Sequence, residues 1–275
     1  MSSLGSARWS ASGARSRVAS AAVLKVGGSL CRSPRGARGL MDALESMAAG
    51  RTLVVVPGGG RFADEVRRAD RRFDLGASHS HWMAILAMDQ SAYLLSHLAR
   101  RAVLVRRPGE IRSGRLNILA PSAWLLHVDP LPHSWAVTSD SIAAWVARAL
   151  GVRQLVLLKS TDGAPASARA SRKSRAPMLP ESTDGVASQT PAARESGAPI
   201  RRQVTCGELG EIVDGHFARA LPAGISCWIV NGRRPERVAT LLATGATYGT
   251  EITMRRARPR RAPRARRQAR PRARD

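Results

Sequence analysis

Two short stretches carry the residues that could do chemistry. "VLKVGGSL" places Lys25 two residues ahead of Gly27, with Gly28 and Ser29 following, and "LVVVPGGG" further along ends in Gly58, Gly59 and Gly60. Each is a β-prone apolar run that breaks into consecutive glycines. Without a Cβ, glycine lets backbone N–H groups approach an anion closely, and the N-terminus of a following helix adds partial positive charge. A lysine at the first turn acts as a point charge on a transferring phosphoryl group, where each prearranged donor is worth ~3 kcal/mol of barrier. Turn glycines alone would explain either stretch. Paired turns with a strand-end lysine point instead to phosphoryl transfer between two anionic ligands.

The common phosphate-binding patterns do not fit. No G-x-x-x-x-G-K-[ST] string occurs, because the lysine precedes the glycines. The H-R-D and D-F-G strings of protein kinases are missing, and neither turn reads G-x-G-x-x-G.

The elements that must position these residues alternate along the chain. "AAVLKVG", "RTLVVVP", "AVLV", "RQLVLLKS", "SCWIVNG" and a short segment near "GTEI" read as strands. "GLMDALESMAAG", Phe62 to Phe73, "HWMAILAMDQSAYLLSHLAR", "DSIAAWVARALG", "CGELGEIVDGHFARALP" and "PERVATLLATG" read as helices, while "LNILAPSAWLLH" fits either state. Strands followed by helices predict an α/β fold, a mostly parallel sheet with helices on both faces. Ligands in such sheets sit beyond the C-terminal strand ends. Lys25 with Gly27 to Ser29, Gly58 to Gly60, Lys159 to Gly163 and Asn231-Gly232 all lie at such ends, so one rim is expected to gather them.

Composition bounds the rest. A chain of 275 residues with 44% hydrophobic content has material for a substantial core. Cys31, Cys206 and Cys227 are far apart and lack C-x-x-C spacing, which argues against a disulfide framework or zinc site. No apolar run approaches the ~18 residues of a membrane span, so a cytoplasmic protein with no membrane partner is expected. The net charge of +24 is concentrated in three segments poor in large apolar residues: the first 21 residues, 164–203, and the Arg-rich tail from Arg255. Such segments cannot offset their ordering entropy, so disorder is expected at 1–20, 164–203 and 254–275, around one domain spanning 21–253. The tail has no interleaved aromatics for base stacking, so nucleic-acid binding through it would be non-specific.

Taken in order, K-x-G-G-S, strand-G-G-G, "TSDSIAAWVA", "LVLLKSTDG" and "NGRRPERVATLLATG…GTEI" resemble the amino acid kinase superfamily, which includes acetylglutamate, aspartate, uridylate and isopentenyl phosphate kinases. The resemblance runs from Ala21 to Ile252 apart from the insertion. It implies a three-layer αβα sandwich, ATP and Mg2+ as cofactors, a small-molecule phosphate acceptor and a homo-oligomer. "SHWMAILAMDQ" and "PLPHSWAVTSDSIA" look most like the kinases of methanofuran-type cofactor synthesis, which convert an aminomethylfuran phosphate to a diphosphate. Uridylate or another small-molecule kinase of this fold is the alternative, and a non-catalytic kinase-like module with a polyanion-binding tail is a third.

The resemblance also implies roles. Lys25 neutralises the migrating phosphoryl group and Asp140 orients it. Gly27, Gly28 and Ser29 bind ATP phosphates, and Lys159, Ser160, Asp162 and Gly163 line the nucleotide pocket. Gly58, Gly59 and Gly60 hold the acceptor, Arg61 pairs with its phosphate, and Thr138 and Ser139 help to hold it. An acceptor phosphate oxygen is already a nucleophile, so no general base is required; no metal-ligating residues are assigned. Plainer readings stand beside these: Asp140 as a first-turn carboxylate, Lys159 as a solvated strand end, His133 as a loop residue, and His81 with the Trp and Met of "HWMAILAM" as core. The insertion fills the region that covers the nucleotide in the family, and Ala136 stands where the cofactor-pathway pattern often has an acidic residue.

Overall fold

The computed structural model describes residues 21–161 and 213–252. The expectations for 1–20, 164–203 and 254–275, and for Cys206, Asp162 and Gly163, lie outside the described residues. In chain order the strands are β1 (Ala22–Val26), β2 (Leu53–Pro57), β3 (Val103–Val105), β4 (Leu116–Leu119), β5 (Gln154–Lys159), β6 (Ser226–Asn231) and β7 (Thr250–Ile252). The helices are α1 (Pro34–Met47), α2 (Gly60–Phe73), α3 (Gly76–Leu98), α4 (Ser122–Val128), α5 (Ser139–Leu150), α6 (Phe217–Ala220) and α7 (Pro235–Thr244).

The strands form a single sheet in the order β3-β4-β2-β1-β5-β6-β7. All neighbours are parallel except β7, which runs antiparallel to β6 at one edge. All residues of β1 and β2 are buried, as expected where helices cover both faces and the strand sequence is continuously apolar. Successive side chains on a strand point to opposite faces, and the two cores divide accordingly. Val23, Val54, Val56, Leu155 and Leu157 pack with α5 and α6; Leu24, Val26, Val55, Val156 and Leu158 pack with α1 and α7. The long α3 serves both cores, with Ile85 and Met88 in the first and Ala92, Leu95 and Leu98 in the second. The result is the three-layer α/β sandwich that the alternation predicts.

Three local readings change. "LNILAPSAWLLH" is both things at once: strand β4, then a turn at Ala120-Pro121, then α4. The helix expected over 206–222 is reduced among the described residues to the short α6, because Asp214 and Gly215 stand in a turn ahead of it. The last strand joins the sheet against the parallel direction.

Candidate active site

The alternation along β1 and β5 sets the site. Lys25 shares the face of Val23, and Lys159 that of Leu155 and Leu157, so both ammonium groups project toward α5. The parallel register pairs Lys25 with Leu157, which leaves Lys159 two residues further along the same face of the neighbouring strand. Asp140, in the first turn of α5, stands between them. Its Oδ1 lies 2.8 Å from Lys25 Nζ, and its Oδ2 accepts a hydrogen bond from Lys159 Nζ at 2.5 Å. The Lys25 contact is an ion pair that approaches Oδ1 off the hydrogen-bond direction.

Asp140 is 3% exposed and Lys25 6%. Burial by itself would push the Asp140 carboxyl up, but the charges of Lys25 and then Lys159 override it and hold the group below its ordinary range. Lys159 is shifted down, first by burial and then by repulsion from Lys25, with Asp140 opposing. Two cations therefore share one anion, which leaves an excess positive charge and spare N–H donors at the rim.

Both glycine turns reach the same rim. A Cβ on Gly28 would lie 2.4 Å from Gly60 Cα and 2.8 Å from Gly60 N, so the turns touch backbone to backbone and Gly28 admits no side chain. Gly60 has φ +54°, a left-handed conformation that glycine adopts freely, and it opens α2. The unpaired N–H groups of that first turn, with the helix dipole behind them, face the junction. The N–H of Gly27 donates to Leu158 O at 3.1 Å and that of Gly58 to Val26 O at 2.8 Å, so these two amides extend the sheet ladder. Lys25, Gly28, Ser29, Gly59, Asp140 and Lys159 all line one open cleft of ≈ 350 Å³.

The amino acid kinase family matches residues 20–181 of the sequence, more than half of the chain. The chain belongs to the amino acid kinase family. Over 146 residues it is 34% identical to [5-(aminomethyl)furan-3-yl]methyl phosphate kinase of Methanocaldococcus jannaschii, a match covering 51% of this chain and 66% of that protein, just under two thirds of its length. Among solved structures it is similar to uridylate kinase from Archaeoglobus fulgidus, with a TM-score of 0.56 and 19% identity over 84% of this chain and 99% of that one. It is also similar to UMP kinase from Ureaplasma parvum, with a TM-score of 0.55 and 13% identity over 85% of this chain and 95% of that one. These two likenesses show the shared fold.

Within this family fold, Arg61, Thr138 and Ser139 also line the cleft. Gly27, Ser160 and Gly232 are not among the lining residues; a Cβ on Gly27 would lie 3.7 Å from Lys25 Nζ and Ser29 Oγ, and one on Gly232 would meet Leu30 Cδ1 at 2.5 Å. The fourth strand end therefore packs against the rim instead of lining it. Thr138 is the N-cap of α5: its Oγ1 accepts from Asp140 N at 3.3 Å and donates to Asp214 Oδ2 at 2.7 Å.

Asp214 was not foreseen. Its Oδ2 also accepts the N–H groups of Thr138 and Ser141, each at 3.0 Å, and its Oδ1 accepts from Ser141 Oγ and from His216 N. One carboxylate thus ties the start of α5, and so Asp140, to the chain segment that precedes β6. The "DG" step was a legible turn signal, but its partners on α5 lie more than seventy residues upstream. The far end of the cleft was missed as well. Trp135 donates Nε1–H to Asp70 Oδ2 at 2.7 Å, the Arg67 guanidinium lies 5.1 Å from its ring centre, and His81, expected in the core, stands on the cleft wall.

Proposed function

We propose that this chain is an ATP-dependent kinase that transfers the γ-phosphoryl group to a phosphate-monoester acceptor, and that the acceptor is an aminomethylfuran phosphate. The observation that carries the reading is the Lys25, Asp140 and Lys159 cluster facing two turns without side chains in one cleft. Phosphoryl transfer is catalysed chiefly by positioning and by charge, and this rim offers both. Likeness to the Methanocaldococcus kinase supports the choice of acceptor.

ATP supplies the phosphoryl group, with Mg2+ on its phosphates. The residues present fit a polyphosphate: Gly28 has no room for a Cβ, Gly60 takes the left-handed φ of +54° that favours glycine, and the two lysines hold more N–H donors than Asp140 can accept. Asp140 is engaged by both lysines, and no cluster of metal-ligating side chains occurs among the described residues, so the metal would be held through the nucleotide. Lys25 meets the migrating group, with Asp140 fixing its position. Lys159 and Ser29 hold the donor phosphates. The α2 N-terminus and Arg61 bind the acceptor phosphate, whose oxygen attacks without a base.

The test is ATP consumption with [5-(aminomethyl)furan-3-yl]methyl phosphate and, separately, UMP, with product identified by phosphorus NMR. A diphosphate of the furan ester is expected, and turnover of UMP in its place would reassign the acceptor. Lys25→Ala should lower kcat by about 100- to 1000-fold in protein that still folds, with a lower melting temperature because buried Asp140 loses one of its two partners. Full activity in that variant would overturn its role. Copies of the chain are further proposed to pair through α3, where Met83, Leu86, Tyr93 and Leu94 form an exposed apolar stripe.

A further inference from the structure

The acceptor end of the cleft holds a group that the phosphoryl chemistry does not use. His81 is 7% exposed and lines the cleft, and neither of its ring nitrogens has a hydrogen-bond partner among the described residues. These nitrogens are not sealed inside the protein but open on the cleft, where a ligand can reach them. The ring is held firmly. It stacks on His133 at 4.6 Å and 19° between planes, and Trp82 meets both imidazoles edge-on at 5.3 Å. His133 is itself fixed, with Nε2 2.9 Å from Asp129 Oδ1 and Nδ1 2.9 Å from Ser78 Oγ.

Two observations indicate what His81 binds. Burial, followed by the neighbouring charge of His133, pushes its pKa below the ordinary value against a weaker pull from Asp129, so the imidazole is neutral at neutral pH and keeps a lone pair. The charged side chains of the cleft are mostly donors, and its two carboxylates already hold cations. Lys25, Lys159, Arg61 and Arg67 all donate, Asp140 is taken by two lysines, and Asp64 is paired with Arg67 at 2.9 Å. His81 lies on the same face of α3 as Ala84, about 4.5 Å from it along the helix axis, and α3 meets Gly59 from Ala84 to Ser91, so His81 stands beyond that contact at its N-terminal side. Between them Ile85 and Met88 give the cleft an apolar wall suited to a flat ring.

We infer that His81 is a specificity-determining residue that accepts a hydrogen bond from an ammonium substituent on the acceptor, at the end of the molecule opposite its phosphate. The inference rests on the proposed acceptor class and assigns recognition of its amine. The test compares binding and turnover of [5-(aminomethyl)furan-3-yl]methyl phosphate with those of [5-methylfuran-3-yl]methyl phosphate, which lacks the amine. Wild type should favour the amine ester by about tenfold or more. His81→Phe, which keeps the ring stack, should reduce that preference to near unity while leaving the affinity for a non-hydrolysable ATP analogue and the melting temperature unchanged. His81→Gln, which restores an acceptor atom, should recover most of it. A preference that survives in His81→Phe, or an equal loss on both esters, overturns the inference and leaves the proposed function standing. Failure of wild type to bind either ester overturns both.

Discussion

Asp140 is where the residue-scale argument concentrates, because one buried carboxylate compensates two lysines. Replacing it with Asn leaves both ammonium groups unpaired in a poorly solvated place, which costs about 3–5 kcal/mol. Urea unfolding at neutral pH should show that loss. Since the folded Asp140 titrates below its ordinary 3.8, its contribution is fully present above that value and fades as pH falls through the lower, folded one. The stability gap between wild type and Asp140→Asn should therefore hold through the neutral range and close only below about pH 3.8. A gap that is unchanged in strong acid would mean that the ion pairs contribute nothing. Lys159 makes the opposite edge visible. Its pKa is lowered from 10.5, so its charge disappears as pH rises through a value below the usual lysine range. The alkaline limb of kcat/KM should begin there, and Lys159→Arg, which keeps its charge, should move the limb upward. An identical limb in the variant would assign it to another group.

At the scale of elements, the start of α5 is held by Asp214 from a distant part of the chain. Asp214→Ala removes acceptors from Thr138, Ser141 and His216 at once, and a lost cap of this kind costs ~1–2 kcal/mol. The expected outcome is a lower melting temperature together with a fall in kcat, because Asp140 loses its fixed position between the lysines. A stability loss with kcat untouched would show that the clamp acts on folding alone. This clamp also marks the limit of what the sequence discloses. Lys25, Asp140, Lys159 and the glycine turns were legible because strand ends, turn glycines and a helix start are local signals, and the rule that ligands gather at C-terminal strand ends brings them together. Asp214 and His81 were not. Asp214 acts through partners far away in sequence, and it was absorbed into a helix that the Asp-Gly turn interrupts. His81 sits in an apolar helix whose composition reads as core, and only the packed arrangement reveals that one turn of it borders open space. The amide of Gly27 is bonded to Leu158 O on the neighbouring strand, a pairing that no single segment discloses.

On the scale of the whole molecule, the excess charge and the exposed apolar side chains belong to different stretches of the sequence. The basic residues in excess lie mainly in the termini and the insertion, whereas α3 presents Met83, Leu86, Tyr93 and Leu94 to solvent at 36–51% exposure. Four large apolar side chains on one face of a helix, interrupted only by Gln90, are costly in water and are expected to be covered. Sedimentation of wild type should give a dimer, and Leu86→Glu with Leu94→Glu should give a monomer of unchanged helical content. A wild-type monomer would remove the proposal. Among the described residues no helix is long and apolar enough to cross a membrane.

The division of β1 and β5 into two faces sets how this protein can drift. Substituting one aliphatic residue for another along either strand leaves both ammonium groups where they are. Gaining or losing a single residue within β1 would swing Lys25 beneath Met41 and Leu44 and hand its place to a hydrocarbon. Descendants of this chain should thus vary freely in the spelling of those strands and hardly at all in their length.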